Sequence, residues 1–294
     1  MTSRPFRPRT AGPVPSGRVR ERAPGAVRRW RLVPALVAAA ALAAGIWAAC
    51  ARQGSPSVLL VTIDTLRADR VGCYGDAQAV TPVLDKLARE GVLFERAYTP
   101  VPLTLPSHAT ILTGRHPSRH GVRNNGTYHL PSEAQTLAES FRLAGYRTGA
   151  FVSSFVLHRQ FGLEQGFDAY DDSLFNERAG TRTVERALEW VRGGGKRPFF
   201  LWVHLFEPHT PWNPPAPYAS LPLRSGYERE VAAADRALGQ LLDGLEEDRL
   251  LRNTVVAVLS DHGEGLDDHG EFEHGIFLYE EAVRVPWLLR LPQG

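Results

Sequence analysis

The sequence predicts an α/β domain, a mostly parallel central sheet with helices on both faces, preceded by one transmembrane helix. Three observations predict it. Strand-like and helix-like stretches alternate from Ser57 to Leu291. The strand-like runs are apolar throughout, as strands covered on both faces are. And twenty uncharged residues, Leu32 to Ala51, follow an arginine-rich leader.

Taken in order, residues 1–31 hold nine Arg and one Glu among many Pro and Gly, without apolar periodicity, and read as a disordered basic cytoplasmic tail. Leu32–Ala51 is long enough to cross a bilayer as a helix, and the arginine block keeps its N-terminal side in the cytoplasm, which exports everything from Arg52 onward. A signal peptide cleaved near Cys50 is the competing reading; span length favours the uncleaved anchor, and Trp47 makes Cys50 a poor lipidation site. Residues 52–294 form the exported domain.

There, Val58–Ile63 is a continuous β-favouring run ending at Asp64. Thr81–Glu90 sets Val83, Leu84 and Leu87 on one helical face and stops at Gly91. A short helix begins just after Thr104: Pro106 suits a first turn, and Ser107 with Thr110 offers side-chain oxygens to its free amides. Pro131-Ser132 with Gln135 opens a helix by a capping box, Gly145 ends it, and Tyr146–Val152 is the next strand. Helix Thr183–Arg192, strand Pro198–Val203, the long amphipathic helix Tyr227–Leu245, strand Thr254–Leu259 and a last strand Val285–Leu291 complete the alternation.

The composition, 43% hydrophobic and 22% charged, is that of a globular chain. Its net charge of +2 conceals a leader at +8 and a remainder at −6, which excludes a basic nucleic-acid-binding domain. With Cys50 and Cys73 alone, no disulfide framework supports the exported part, and its stability must come from a core.

In open α/β sheets ligands bind beyond the carboxyl ends of the strands. Asp64 closes the first strand, His204 and His209 lie at or just past the end of Pro198–Val203, and Asp261-His262 follow Thr254–Leu259. Two carboxylates and an imidazole with a hydroxyl nearby suit a divalent cation of the Mg, Mn or Zn kind. Thr104 supplies that hydroxyl at a helix start, where unpaired amides and the dipole stabilise an anion, and a coordinated cation is the direct way to make it nucleophilic. Singly, each residue has an ordinary reading: Asp64 as a strand-end cap, Asp261 as a turn residue, Thr104 as a loop residue before a capped helix.

Three motifs act in concert. Val61–Asp69 (VTIDTLRAD) with Tyr74-Gly75, then Leu105-Pro106-Ser107-His108 through Gly114-Arg115, then Ser260–Glu264 (SDHGE) resemble, in order, the signatures of the sulfatase family in the alkaline-phosphatase superfamily. The resemblance covers about Ser57 to Leu291. It implies a metal-dependent ester hydrolase or transferase in which Asp64, Thr104, Asp261 and His262 hold one divalent ion (Ca, Mn, Mg or Zn) and Thr104 is the nucleophile. It implies that His209, in EPHTP, contacts the ester or leaving group, and that His274 stands where sulfatases usually carry Lys and phosphoryl-transferring relatives a His. Asn125 lies where some relatives place an amide against the bound anion. The ordinary readings are a Pro-rich loop ordered by His209, a surface His274 and a turn at Asn124-Asn125-Gly126.

The chain departs from the family pattern twice. Thr65 follows Asp64 where many sulfatases carry a second acid. Thr104 stands where the family's sulfatases need Cys or Ser for oxidation to formylglycine; the β-methyl of Thr prevents that aldehyde, so no formylglycine is expected. Thr here resembles the superfamily's phosphodiesterases, phosphoethanolamine transferases and lipoteichoic-acid synthases. The implied substrate is an anionic phosphate or sulfate ester of a glycan, a lipid headgroup or a small molecule; the alternative is a non-catalytic relative that binds an anionic glycan or lipid headgroup. Relatives usually continue into a smaller C-terminal subdomain, so the chain reads as a fragment or a truncated member. His120, His129, His158 and His269 read as solvated or hydrogen-bonded, and Asp171-Asp172 and Asp267-Asp268 as solvated loops or turns.

Overall fold

The computed structural model describes residues 54–195 and 197–292. The expected tail and the Leu32–Ala51 span lie outside the described residues, among which no helix is long and apolar enough to cross a membrane.

The elements follow in the order β1 (Ser57–Ile63), α1 (Pro82–Glu90), β2 (Val92–Leu93), β3 (Ala97–Tyr98), α2 (Thr104–Thr113), α3 (Pro117–His120), α4 (Leu137–Leu143), β4 (Arg147–Phe151), β5 (Ala169–Asp171), α5 (Gly180–Arg192), β6 (Phe199–Leu205), α6 (Gly226–Glu247), β7 (Thr254–Ser260), α7 (Glu280–Val283), β8 (Arg284–Val285) and β9 (Trp287–Arg290). The main sheet has the order β2-β9-β7-β1-β6-β4-β5. From β7 to β5 neighbouring strands run parallel, and β9 is antiparallel to both β7 and β2. The mixed α/β architecture and its mostly parallel sheet agree with the sequence expectation.

Alternation along the strands explains why both faces carry helices. Leu59, Val61 and Ile63 of β1, with Leu201, Val203 and Leu205 of β6, pack against α1, α5 and α6 through residues such as Leu84, Leu188 and Leu238. Leu60, Phe200 and Trp202 point the other way and pack against Leu105, Ala109 and Leu112 of α2 and Ala138 of α4. Each fully buried Leu contributes about 2 kcal/mol of transfer free energy, so this two-sided core replaces any disulfide.

Register then positions the chemistry. Ile63 lies beside both Leu205 and Ser260. Asp64 and Asp261, each one residue further on, therefore leave adjacent parallel strands side by side, at a separation set by the spacing of about 4.8 Å between strands.

Four expectations are corrected. Helix α2 starts at Thr104 itself, with Leu103 as its N-cap and no side-chain cap from Ser107 or Thr110. Ser107 Oγ donates instead to the Asp261 carbonyl (2.7 Å) and Thr110 Oγ1 to the Pro106 carbonyl (2.9 Å), while Asn125 Oδ1 serves the Leu105 amide (2.9 Å). Helix α4 is opened by a capping box of Thr136 and Glu139, not from Ser132, because a charged carboxylate returns a stronger hydrogen bond to the cap amide than Gln135 would. The last strand is split by Pro286, which cannot donate to a ladder, into β8 and β9. Asp171 and Asp172 are buried rather than solvated, paired with Arg178 and Arg186 and with Arg159 respectively.

Candidate active site

The floor of the site is made of strand ends. Asp64, Asp261 and His262 are 0% exposed, and each offers a ligand atom within 4.8 Å of the others. His262 Nδ1–H donates to the Gly263 carbonyl (2.9 Å), so its Nε2 carries the lone pair. That nitrogen lies 3.4 Å from Asp261 Oδ2, 3.7 Å from Asp64 Oδ1 and 3.3 Å from Thr104 Oγ1. Thr104 is the first residue of α2 and is buried. Asp261 Oδ1 accepts from the His262 amide (2.8 Å) and the Thr65 amide (3.3 Å).

Three oxygens, Asp64 Oδ1, Asp64 Oδ2 and Asp261 Oδ2, have no well-aligned donor although all are buried. An unsatisfied buried carboxylate costs several kcal/mol, so something else must satisfy them. The acidity of the pair splits. Burial alone pushes Asp64 up, but the His204 contact and the nearby imidazoles of His209, His204 and His262 hold it below the ordinary carboxylate range. Burial and the Asp64 charge push Asp261 far above that range, and burial with His274 nearby pushes His262 far below the ordinary imidazole value. The protein thus supplies two acids that cannot both ionise beside each other and a neutral imidazole lone pair. A divalent cation fits that donor set: it permits both carboxylates to charge and accepts the lone pair and a hydroxyl.

The rim comes from loops. His209 Nδ1–H donates to the Thr210 carbonyl (2.6 Å) and its ring stacks on Phe206 at 4.7 Å. His274 stands edge-on to His209 at 5.3 Å and tilted over His262 at 4.3 Å between ring centroids. Its Nδ1–H donates to Glu264 Oε1 (2.9 Å), and although burial opposes it, this buried carboxylate raises the His274 pKa. Asn125 sits beside Thr104 through its bond to the Leu105 amide, which consumes its oxygen and leaves the NH2 end as donor.

The seven residues given roles from the sequence therefore lie together, Asn125 through a helix amide as well as by proximity. Sequence reasoning assigned no role to three more. His108, four residues after Thr104, donates from Nδ1 to the Thr104 carbonyl (2.7 Å), accepts from Thr62 at Nε2 (2.9 Å) and is pushed down to about 3 by burial. Glu264 braces His274, and His204 faces Asp64; the signal for both was a charged or polar group in an otherwise apolar or Gly-flanked stretch. Thr65 holds φ 52°, rare for a β-branched residue, and its buried Oγ1 has no partner. Arg67 ties the loop after β1 to the loop after β7 by donating to the Glu264 and Gly265 carbonyls and pairing with Asp268.

The family model described as Sulfatase matches residues 56–294. The chain is 29% identical to N-acetylgalactosamine-6-sulfatase of Canis lupus familiaris, over 90% of this chain and 62% of that protein. It is 30% identical to an ulvan-active sulfatase of Formosa agariphila, over 81% of this chain and 56% of that one, so it spans only part of the length of these relatives. Among solved structures, the phosphonate monoester hydrolase of Agrobacterium radiobacter superposes with TM-score 0.69 at 21% identity, covering 81% of this chain and 68% of that one. A protein solved with its substrate D-glucosamine-2-N,6-O-disulfate gives TM-score 0.70 at 21% identity, covering 82% and 72%. Both likenesses are of fold.

Proposed function

The chain belongs to the sulfatase family, and from that premise we propose that it is a metal-dependent hydrolase or transferase of anionic sulfate or phosphate esters with Thr104 as nucleophile. One observation carries the reading. The Thr104 hydroxyl lies 3.3 Å from His262 Nε2, beside two buried carboxylates three of whose oxygens, Asp64 Oδ1 and Oδ2 and Asp261 Oδ2, lack a well-aligned donor.

Asp64, Asp261, His262 and Thr104 would hold the cation, whose Lewis acidity lowers the hydroxyl's pKa. Once its proton has passed to water, Thr104 Oγ1 attacks phosphorus or sulfur in line as the bond to the leaving oxygen breaks, and the new ester on Thr104 is then transferred to water or to another hydroxyl, returning the Thr104 oxygen. His209, with Nδ1–H kept on the Thr210 carbonyl, would act in its doubly protonated form and give the Nε2 proton to the leaving oxygen. Because Asn125 occupies the Leu105 amide, the donors left for the equatorial oxygens are Asn125 Nδ2 and His274 Nε2, assisted by the α2 dipole. Glu264 keeps His274 turned to that task.

The two sequence relatives named above are sulfatases, and one structural neighbour is a phosphonate monoester hydrolase. Thr104, which cannot become formylglycine, favours phosphoryl or phosphonyl transfer for this chain, on a glycan, lipid headgroup or small molecule. Purified protein assayed on aryl sulfate, phosphate monoester and phosphate diester with Mn, Zn, Mg or Ca should turn over at least one phosphorus ester; turnover of none, with saturable binding of an anionic glycan or headgroup, establishes the non-catalytic alternative. We also propose that Leu32–Ala51 anchors the protein with the catalytic domain outside the cytoplasm: protease added to intact cells should remove residues from Arg52 onward, and full protection of the chain refutes this topology.

A further inference from the structure

β6 is buried along its whole length, and His204 is the one ionisable side chain in it. An imidazole with no access to water must find partners for both nitrogens inside the protein. The Ser153 amide donates to His204 Nδ1 at 3.4 Å. Ser153 Oγ donates to the His204 carbonyl at 2.6 Å and is bonded to Thr183 Oγ1, also at 2.6 Å, which in turn accepts from Arg178 Nε at 3.0 Å. The strand β6 is thus pinned at this residue from the neighbouring loop, and the ring of His108 stands edge-on at 5.1 Å to close its other side.

With Nδ1 as acceptor, the proton belongs on Nε2, which faces Asp64 Oδ2 at 3.3 Å. Register puts it there: Thr62 lies beside His204 in the parallel pair, and Asp64, two residues further, projects to the same face as Thr62. Asp64 Oδ2 and His204 Nε2 both lack a well-aligned hydrogen-bond partner among the described residues, and their 3.3 Å approach makes each the polar group that the other faces. The second oxygen, Asp64 Oδ1, looks toward His262 Nε2 at 3.7 Å.

We infer that His204 is a positioning residue: its Nε2–H holds one oxygen of Asp64 so that the other is presented to the cation bound by Asp64, Asp261 and His262. This rests on the cation-binding reading above and adds a residue to it that touches neither substrate nor cation. A residue that only filled the core at this point would need no polar atom, and a leucine would serve. A carboxylate at a strand end is otherwise free to turn about two side-chain torsions, and fixing it beforehand removes that freedom from the cost of binding the ion.

The test is a competition titration of the full-length protein with Mn²⁺ against a chelating indicator, comparing wild type, His204→Leu and His204→Gln. Leu keeps the bulk and removes the donor; Gln restores an N–H near the same place. His204→Leu should weaken Mn²⁺ binding by about 10- to 100-fold and His204→Gln should recover most of the loss, with the chelated forms melting alike. Wild-type affinity in His204→Leu, or equal weakening in two folded variants, overturns the inference. If His204→Leu does not fold, the wild type decides: in ¹⁵N-histidine-labelled protein the His204 signal should show a proton on Nε2 before and after the diamagnetic Zn²⁺ is added, and a proton on Nδ1 or loss of the Nε2 proton on loading overturns it. Wild-type protein that binds no divalent ion refutes the underlying cation site itself, a distinct failure that the titration identifies first.

Discussion

The floor and the rim of the site are built by different means. Asp64, Asp261 and His262, with His204 and His108 around them, are 0% exposed and leave adjacent strands or the first turns of α2, so sheet register dictates their spacing. His209, His274 and Asn125 come from loops, and each has already committed one polar atom to the protein, to the Thr210 carbonyl, Glu264 and the Leu105 amide respectively. The floor keeps three of its four carboxylate oxygens without a well-aligned donor; the rim spends half its hydrogen-bonding capacity on holding its own orientation. A floor fixed by strand register cannot change without breaking the ladder, whereas loops tolerate change. Under the proposed function, the contrast predicts that the floor sets the reaction class and the rim the choice of ester.

That separation can be broken in order of expected effect. Asp261→Ala should lose both the cation and activity, by at least about four powers of ten in kcat/KM, since it removes a ligand and leaves Asp64 alone; metal content equal to wild type would dissolve the distinction. His274→Ala should cost about 10² to 10³ in kcat while retaining the ion, and loss of the ion would move His274 from rim to floor. Asn125→Ala should cost about tenfold, mainly in KM, with the melting temperature slightly lowered because the Leu105 amide loses its acceptor.

The smallest effect compares the floor with a buried acid elsewhere. Glu230 accepts the Asn213 amide at 2.6 Å, and burial, aided by Glu207 and Glu177, pushes it up from 4.5 to about 8. Asp64 moves the other way because imidazoles face it. An acid whose folded pKa is raised binds more protons in the native state, so the contribution of Glu230 to stability should fall as pH rises from about 4.5 to about 8 and then level off. Glu230→Gln should flatten that slope by on the order of 1 kcal/mol, discounted for water that reaches the group, as read by thermal melts across pH. An unchanged slope would show that burial of Glu230 is not felt.

What was legible in the sequence follows the same division. Asp64 and Asp261 were readable because they lie one and two residues beyond the apolar runs that end at Ile63 and Leu259. His204 was read at the end of a strand expected to stop at Val203, among the strand-end candidates but without a role of its own; the strand runs to Leu205 and holds the imidazole inside the sheet. His108 was in plain view at four residues from Thr104, but its partner is a backbone carbonyl, which no side-chain pattern announces. Asp171 and Asp172 looked solvated because their partners Arg159, Arg178 and Arg186 arrive from other segments through the fold. The capping of α2 from Asn125 was hidden for the same reason: the acceptor lies twenty residues downstream of the amide it serves. Family membership needed only three motifs in order, because strand-end residues fixed by register are also the ones whose spacing in sequence is constrained.

The central claim, that Thr104 is the attacking group on a metal-holding floor, is tested most directly by Thr104→Ala, with cation content and single-turnover rate measured on the same preparation. Asp64, Asp261 and His262 remain, so the ion should still be bound near stoichiometrically, while the rate on the preferred ester should fall by at least about four powers of ten, because covalent catalysis has no substitute for its nucleophile. Wild-type turnover in a folded, metal-loaded Thr104→Ala protein would contradict the account.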